Sequence, residues 1–261
     1  MCEFDRAFAL MDELDDRTAE RLAPTPYGPV LVHERLDRVH DLNFLRAERP
    51  GKATADALAA EAERVQGAAG IGHRRVNVRD AATLDRLQSR FVELGWSPER
   101  FVVMVQRRDP DRQSEAEVQE VDEPTLRPVW AAGIRREPHG QDEVVVQQIL
   151  EHRRLIAEAL PTRFFAAAAG GRLVAHCELY AAGGTTQIEN VVTLSEFRGR
   201  GFARALVLRA AAEARANGSD LVFLVADADD WPRRLYERLG FDTIGRYGRF
   251  LKLLRPAASS P

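Results

Sequence analysis

An arginine- and glycine-rich turn, Arg198-Gly199-Arg200-Gly201, lies between two segments of different hydrophobic period. Before the turn, Ile188–Leu194 is apolar and β-branched, which predicts an interior strand. After it, apolar residues recur with a helical period from Phe202 onward. Glycines let the backbone approach a ligand closely, and the start of a helix directs free N–H groups and the positive end of its dipole to the same place. With further positive charge at Arg204, the pattern predicts a binding site for a diphosphate.

Two blocks of the sequence resemble a known family. Arg198-Gly199-Arg200-Gly201-Phe202-Ala203 is similar to the pattern Arg/Gln-x-x-Gly-x-Gly/Ala, with which N-acetyltransferases of the GNAT superfamily hold the pyrophosphate of acetyl-CoA. Leu235-Tyr236-Glu237-Arg238-Leu239-Gly240-Phe241 resembles the family's later Tyr-x-x-Leu-Gly-Phe motif. The resemblance covers about residues 118–252 and implies acetyl-CoA as cosubstrate. It does not identify the acceptor, because one fold serves many substrates.

The resemblance also implies contacts beyond the phosphate turn. Val191, Val192 and Thr193 take the place of the strand whose backbone pairs with the pantetheine arm and polarises the thioester carbonyl. The two valines fit a core role equally well. Asp229 stands where the family often has asparagine, and a carboxylate accepts hydrogen bonds but does not donate them as an amide does.

Catalysis would require removal of a proton from the acceptor, because a free alkylamine titrates at about 10 and attacks a thioester only when neutral. Glu189 is the candidate general base, and simple alternation along a strand places it on the face of Val191 and Thr193 unless a bulge shifts the parity. A solvated or ion-paired glutamate is the alternative. Tyr236 matches the family position whose phenol donates a proton to the coenzyme A sulfur. A tyrosine that only packs at a helix end is the alternative.

The remaining candidate groups favour structural roles. His176 and Cys177 are neighbours on a predicted strand and point to opposite faces, so they do not form a nucleophilic dyad, and a buried, inert thiol is predicted. Glu178 and Tyr180 share the face of His176 and are candidates for the acceptor cleft. The two cysteines and the scattered histidines show no disulfide or metal-ligand spacing, so no metal is expected.

Composition limits the other classes of function. The chain has 261 residues, 45% of them hydrophobic, and a net charge of −3, which gives no basic footprint for nucleic acid. It has no apolar run long enough to cross a bilayer and no signal-peptide core at its start, so a cytoplasmic protein that does not bind membranes is expected. The sequence leaves a monomer and a homodimer equally open.

The order of predicted elements indicates an α/β fold of two similar halves. Strand, strand, helix, strand, helix, strand occurs twice, and Phe91–Trp96 aligns with Tyr236–Phe241 at an offset of 236 − 91 = 145 residues. We therefore expect two GNAT-like domains, each a twisted mixed sheet flanked by helices. Residues 1–112 would form a degenerate domain without a cofactor loop, 113–256 the catalytic domain, and 257–261 a disordered tail. Chance similarity of the two halves is the alternative.

Several element assignments are specific enough to test. Val30–Leu36 and Val39–Arg46 are predicted as strands, and Phe164–Tyr180 as a hairpin that turns at Gly170-Gly171. Asn217-Gly218 should end the helix that begins at Phe202.

The leading functional hypothesis is an acetyl-CoA-dependent N-acetyltransferase that transfers an acetyl group to a primary amine by direct attack in a ternary complex. The acceptor could be a small molecule or a peptide. The alternative from another class is a non-catalytic module that binds or senses acyl-CoA. A third is a binder of nucleotide phosphates, since the loop chemistry alone does not specify coenzyme A.

Overall fold

The computed structural model describes residues 1–254, so the predicted tail at 257–261 lies outside the described residues. The fold is mixed α/β, as predicted. Its helices are α1 (Glu3–Thr18), α2 (Ala55–Ala68), α3 (Ala81–Glu93), α4 (Glu123–Ile134), α5 (Glu143–Ala159), α6 (Phe202–Ala216) and α7 (Pro232–Arg238). Its strands are β1 (Arg21–Ala23), β2 (Val30–Val32), β3 (Phe44–Ala47), β4 (His73–Val78), β5 (Ser97–Gln106), β6 (Gln119–Val121), β7 (Thr162–Ala169), β8 (Arg172–Ala182), β9 (Thr185–Thr193), β10 (Leu221–Asp227) and β11 (Phe241–Leu253).

The chain divides into two compact units whose bounds differ from the predicted domains. Unit 1 comprises Met1–Leu14 and Val102–Gly245, and unit 2 comprises Asp15–Phe101 and the chain from Arg246 onward. Long strands explain the difference. β5, which follows α3 in the chain, lies beside β10, and β11, which follows α7, lies beside β4. Each predicted half therefore gives part of its last strand to the other unit.

Unit 2 has the strand order β1-β2-β3-β4-β11-β5. β2 and β3 are antiparallel, β3 and β4 are parallel with α2 as their connection, and β4 pairs with β11 in antiparallel register. Side chains from α2 and α3 pack on this sheet, where Phe91 stacks on Phe250 with ring centroids 4.0 Å apart.

One predicted strand of unit 2 is only partly formed. Within Val39–Arg46, residues His40–Leu42 make a 3-10 turn and the strand begins at Phe44. The Asn43 side chain stabilises the turn: its Nδ2 donates to the carbonyls of Leu36 and Val39 at 3.0 and 3.1 Å. Val30–Leu36 likewise shortens to β2, followed by a second 3-10 turn.

Unit 1 has the strand order β11-β5-β10-β9-β8-β7-β6 and is covered on both faces. The buried stripe of α6 packs against one face, which includes Phe165 and Cys177. Helices α4 and α5 pack against the other face, which includes Phe164 and Ala166. Alternation along β7 thus separates two apolar layers, with the sheet between them.

Local signals of unit 1 are confirmed. β7 and β8 form the predicted hairpin, and Gly170 and Gly171 both have positive φ (58° and 76°), as a two-residue turn requires. Gly218, at φ 86°, follows the end of α6. At the other end of the unit, Arg6 of α1 pairs with Asp220 at 2.6 Å, which explains why residues 1–14 group with unit 1. No helix within residues 1–254 is long and apolar enough to cross a membrane.

Candidate active site

The strands β9 and β10 stop pairing partway along their length, and the place where they part, here called the opening, is the centre of the candidate site. The parallel pairing of these strands joins Thr185–Ile188 to Leu221–Leu224. β9 then continues to Thr193 and β10 to Asp227 without further register between them in the described chain. The edge of β9 after Ile188 therefore presents backbone groups that an extended ligand could pair with.

A β-bulge shapes this edge. The antiparallel register of β8 and β9 shifts between His176↔Val192 and Glu178↔Glu189, which places one extra residue on β9. Asn190 has φ 51°, the one positive φ of a non-glycine residue in the described chain. Asparagine is among the few residues that adopt this conformation at modest cost.

The bulge corrects the parity expected from simple alternation. Glu189 is the direct partner of Glu178 and lies on that face of the sheet, not on the face of Val191 and Thr193. Val192 rejoins the Glu189 face as the partner of His176. Val191 instead packs with the core beneath α6. Because of the bulge, the Val192 side chain lies on the same face of the sheet as Glu189, and the Val191 side chain lies on the face covered by α6.

A buried polar network surrounds the bulge residue. The Asn190 Nδ2 donates to Glu178 Oε2 at 3.1 Å and lies 3.3 Å from the Tyr180 hydroxyl. Glu178 is 1% exposed, pairs with Arg153 of α5, and accepts a hydrogen bond from Tyr180. Arg153 also stacks over the Trp130 ring at 4.9 Å. Because a buried carboxylate needs both a counterion and donors, this network couples α5 to the geometry of the bulge.

The predicted phosphate turn, Arg198–Gly201, has a backbone conformation compatible with that prediction. Gly199 and Gly201 have φ values of 76° and 85°, a conformation that favours glycine. Gly201 is the N-cap of α6, and no side chain of the described part of the chain caps this helix start. The first N–H groups of α6 thus keep their capacity to bind an anion.

The two arginines of the turn are exposed and lie beside the helix start. Arg198 Nε donates to the Thr193 carbonyl at 3.3 Å, and Arg200 donates to the Glu196 carbonyl at 3.2 Å. Within residues 1–254 neither side chain is engaged with a carboxylate, so both guanidinium charges are available to a diphosphate.

Arg204 is placed differently from the other cations of the pattern. It is buried, pairs with Asp111, and donates to the carbonyl of Arg112 at 2.9 Å. In this arrangement its guanidinium holds the segment after β5 against the first turn of α6. The Ser114 hydroxyl completes that contact with a hydrogen bond to the Gly201 carbonyl at 3.3 Å. A direct phosphate contact by Arg204 remains a prediction and would require this ion pair to open.

Glu189 and Tyr236 are electrostatically coupled. Burial raises the pKa of the Tyr236 phenol above its usual value, and the nearby Glu189 carboxylate raises it further. Within the described residues no side chain or backbone group hydrogen-bonds to the Tyr236 hydroxyl. Gln187 Nε2 donates to Glu189 Oε2 at 2.6 Å, which orients this carboxylate on its strand. The two groups predicted to move protons therefore lie within electrostatic range of each other.

Cys177 and His176 occupy opposite faces of β8. Burial raises the pKa of the Cys177 thiol, so it stays protonated at neutral pH, and its sulfur lies 3.9 Å from the Leu206 carbonyl. Burial and the charge of Arg153 lower the pKa of His176 to about 3, so the ring is neutral. Neither group has the protonation state or the partner that a nucleophilic dyad needs.

Asp229 lies exposed in the turn after β10. Its backbone N–H donates to the Asp227 carboxylate at 2.9 Å, and its own carboxylate has no ion-pair partner within residues 1–254. Contact of Asp229 with the cosubstrate remains a prediction. Across the same residues no group of three or more His, Cys, Asp or Glu side chains has the arrangement of a metal site.

Sequence reasoning missed Arg153 and the role of Asn190. An asparagine inside an otherwise β-branched strand is a signal of positive φ, since asparagine is depleted in regular strands and enriched in that region. Arg153 carries no such signal, because its partner Glu178 lies 25 positions away in the chain.

The candidate site lies in a mixed α/β domain, where a parallel strand pair parts beside a glycine-rich helix start. This arrangement resembles that of GNAT acetyltransferases. Residues 129–241 match the family model described as Acetyltransferase (GNAT) family. This match confirms the predicted resemblance of the segment to the GNAT superfamily.

Solved structures share the fold over most of the chain. A functionally unknown conserved protein from Staphylococcus epidermidis is 14% identical with a TM-score of 0.68, covering 91% of this chain and 95% of that one. A GCN5-related N-acetyltransferase from Kribbella flavida is 18% identical with a TM-score of 0.62, covering 95% of both chains. A GCN5-related N-acetyltransferase from Sphaerobacter thermophilus is 20% identical with a TM-score of 0.51, covering 72% of this chain and 62% of that one. At these identities the likeness establishes the fold alone. No curated protein matched the sequence.

Proposed function

We propose that the protein is an acetyl-CoA-dependent N-acetyltransferase that acetylates a primary amine by direct attack in a ternary complex. The observation that carries the proposal is the end of β9–β10 pairing at Ile188 and Leu224, next to the uncapped start of α6. An extended pantetheine arm would lie along the free edge of β9 while its diphosphate binds the Arg198–Ala203 turn.

The residues present fit this cosubstrate. The turn offers glycines at φ 76° and 85°, exposed arginines and first-turn N–H groups with no side-chain cap. After the bulge, Val191–Thr193 provides backbone groups at the opening, where fixed dipoles stabilise charge that develops on a thioester oxygen.

The proton transfers can be assigned to two side chains. Glu189 first removes a proton from the ammonium form of the acceptor, directly or through one water, and the freed nitrogen lone pair then forms the bond to the acyl carbon. As the C–S bond breaks, Tyr236 donates its proton to the sulfur, and the second proton lost by the nitrogen restores the phenol through water. The raised pKa of Tyr236 keeps its phenol protonated at neutral pH, which is the state that donation requires.

Thiol release from acetyl-CoA in the presence of a broad amine panel tests this function. Wild-type protein should release thiol with at least one amine. Tyr236→Phe should lower kcat by about tenfold to a hundredfold with little change in acetyl-CoA affinity. Tyr27→Phe, which removes a phenol from unit 2, is the matched control. If the wild type binds acetyl-CoA by calorimetry yet releases no thiol with any amine, the protein is a binding module and not an enzyme.

A further inference from the structure

A cavity beside α7 is a second candidate site for an anion. It has a volume of about 660 Å³ and is lined by residues of the segment after β5 and of the last turns of α7. The lining residues are Arg108, Asp109, Asp111, Arg234, Glu237 and Arg238.

Three of the six charged lining residues are already neutralised by ion pairs. Arg108 pairs with Asp242 at 2.7 Å, Asp111 pairs with Arg204, and Glu237 pairs with Arg233 at 3.1 Å.

Two arginines of the lining, Arg234 and Arg238, are unpaired in the described part of the chain. Within residues 1–254 the side chains of Arg234 and Arg238 have no ion-pair or hydrogen-bond partner, and both are exposed. They stand four residues apart on α7 and therefore on one face of the helix. Of the lining residues that form no ion pair within residues 1–254, two are positive, Arg234 and Arg238, and one is negative, Asp109. The unpaired charges of the cavity therefore sum to a net positive charge.

The cavity is physically linked to the phosphate turn. The Asp111 backbone N–H donates to the Arg238 carbonyl at 2.8 Å, while the Asp111 carboxylate binds Arg204 on the first turn of α6. Three residues further on, the Ser114 hydroxyl contacts the Gly201 carbonyl at 3.3 Å. Three residues of chain span at most about 10 Å, so the cavity wall and the helix start are neighbours.

We infer that this cavity binds the 3′-phosphate of coenzyme A, a site that rests on the proposed use of acetyl-CoA. A ligand with its diphosphate at the α6 start carries this phosphate monoester one ribose away. At neutral pH the monoester bears a charge of about −1.5 to −2, which two guanidinium groups on one helix face can bind. Arg234 and Arg238 then distinguish coenzyme A thioesters from thioesters that lack this group.

Calorimetry with acetyl-CoA and acetyl-3′-dephospho-CoA tests the inference on the full chain. The wild type should bind acetyl-CoA about tenfold more tightly than the dephospho form. Arg234→Gln and Arg238→Gln should each reduce this preference, and the double variant should abolish it while its affinity for the dephospho form is unchanged. Arg209→Gln, an exposed arginine of α6 paired with Glu213, is the control and should keep the preference.

Adenosine 3′,5′-bisphosphate, as a competitor of acetyl-CoA on the wild type, gives a second measurement that does not depend on any variant. It should compete more strongly than adenosine 5′-monophosphate. Equal affinity of the wild type for both thioesters, or equal weakening of both by the arginine variants, would overturn the subsite and leave the acetyltransferase proposal intact. If neither thioester binds, the proposed function fails and the subsite fails with it.

Discussion

The side-chain amide of Asn190 donates a hydrogen bond to the Glu178 carboxylate, with Nδ2 and Oε2 3.1 Å apart. This bond joins the residue that forms the β9 bulge to a carboxylate that is 1% exposed and paired with Arg153. Glu189 and Glu178 form the last regular pair of β8 and β9 before this bulge, and the residues that follow the bulge lie along the opening. The buried network therefore fixes the strand directly after the proposed base.

Two substitutions at Asn190 separate backbone strain from hydrogen bonding. Asn190→Ala should lower the free energy of unfolding by about 2–3 kcal/mol, because alanine resists a φ of 51° and the hydrogen bonds to Glu178 and Tyr180 are lost. Asn190→Gly keeps the conformation and loses only the amide, so about 1 kcal/mol is expected. Urea unfolding measures both values. Equal costs for the two variants would show that the positive φ is not maintained in solution.

Two glycines at opposite ends of α6 allow a controlled test of the phosphate turn, because Gly201 lies in the turn and Gly218 does not. Gly201 precedes the helix at φ 85° and Gly218 follows it at φ 86°, so an alanine at either position meets similar strain, about 1 kcal/mol. Gly201→Ala should also weaken acetyl-CoA binding by about tenfold, because a Cβ there disturbs the approach to the first N–H groups. Calorimetry checks this. Similar losses of affinity in both variants would indicate a general effect of helix stability.

Loss of the Glu189 carboxylate should depend on pH. Glu189→Gln is expected to lower kcat by about a hundredfold at neutral pH, where the acceptor amine is protonated and needs a base. At a pH of about 9.5 a larger share of the amine is already neutral, so the defect should shrink. Rate profiles of the wild type and the variant measure this. Glu120→Gln on the edge strand β6 is the control. A defect of constant size across the profile would exclude Glu189 as the base.

Acid should destabilise the fold through His176. Its pKa is lowered to about 3 in the folded protein, so between about 6.5 and 3 the unfolded chain binds a proton that the folded chain does not. The free energy of unfolding therefore falls as the pH decreases through this window, by about 2 kcal/mol at pH 5 from this residue. His176→Gln removes this contribution, so its stability relative to the wild type should improve by that amount between pH 7 and pH 5. Parallel stability curves would contradict the neutral, buried ring.

Short-range patterns predicted much of the site, whereas long-range partners did not follow from the sequence. The turn at Arg198–Ala203 and the helix after it were predictable because glycine conformation and helical period are local properties. The inward role of Arg204 was not, since its partner Asp111 lies 93 positions earlier in the chain. The exchange of β5 and β11 between the units was equally inaccessible, because strand neighbours depend on the whole sheet. The sequence indicated the bulge only as one of two possibilities, and its position is set by Asn190, which adopts the positive φ.

A crystal structure of the protein with acetyl-CoA tests the central claim most directly. The diphosphate is expected against the N–H groups at the start of α6 and the thioester at the opening between β9 and β10, with its sulfur near the Tyr236 hydroxyl. Acetyl-CoA bound elsewhere, with the Arg198–Ala203 turn closed by its own side chains, would contradict it.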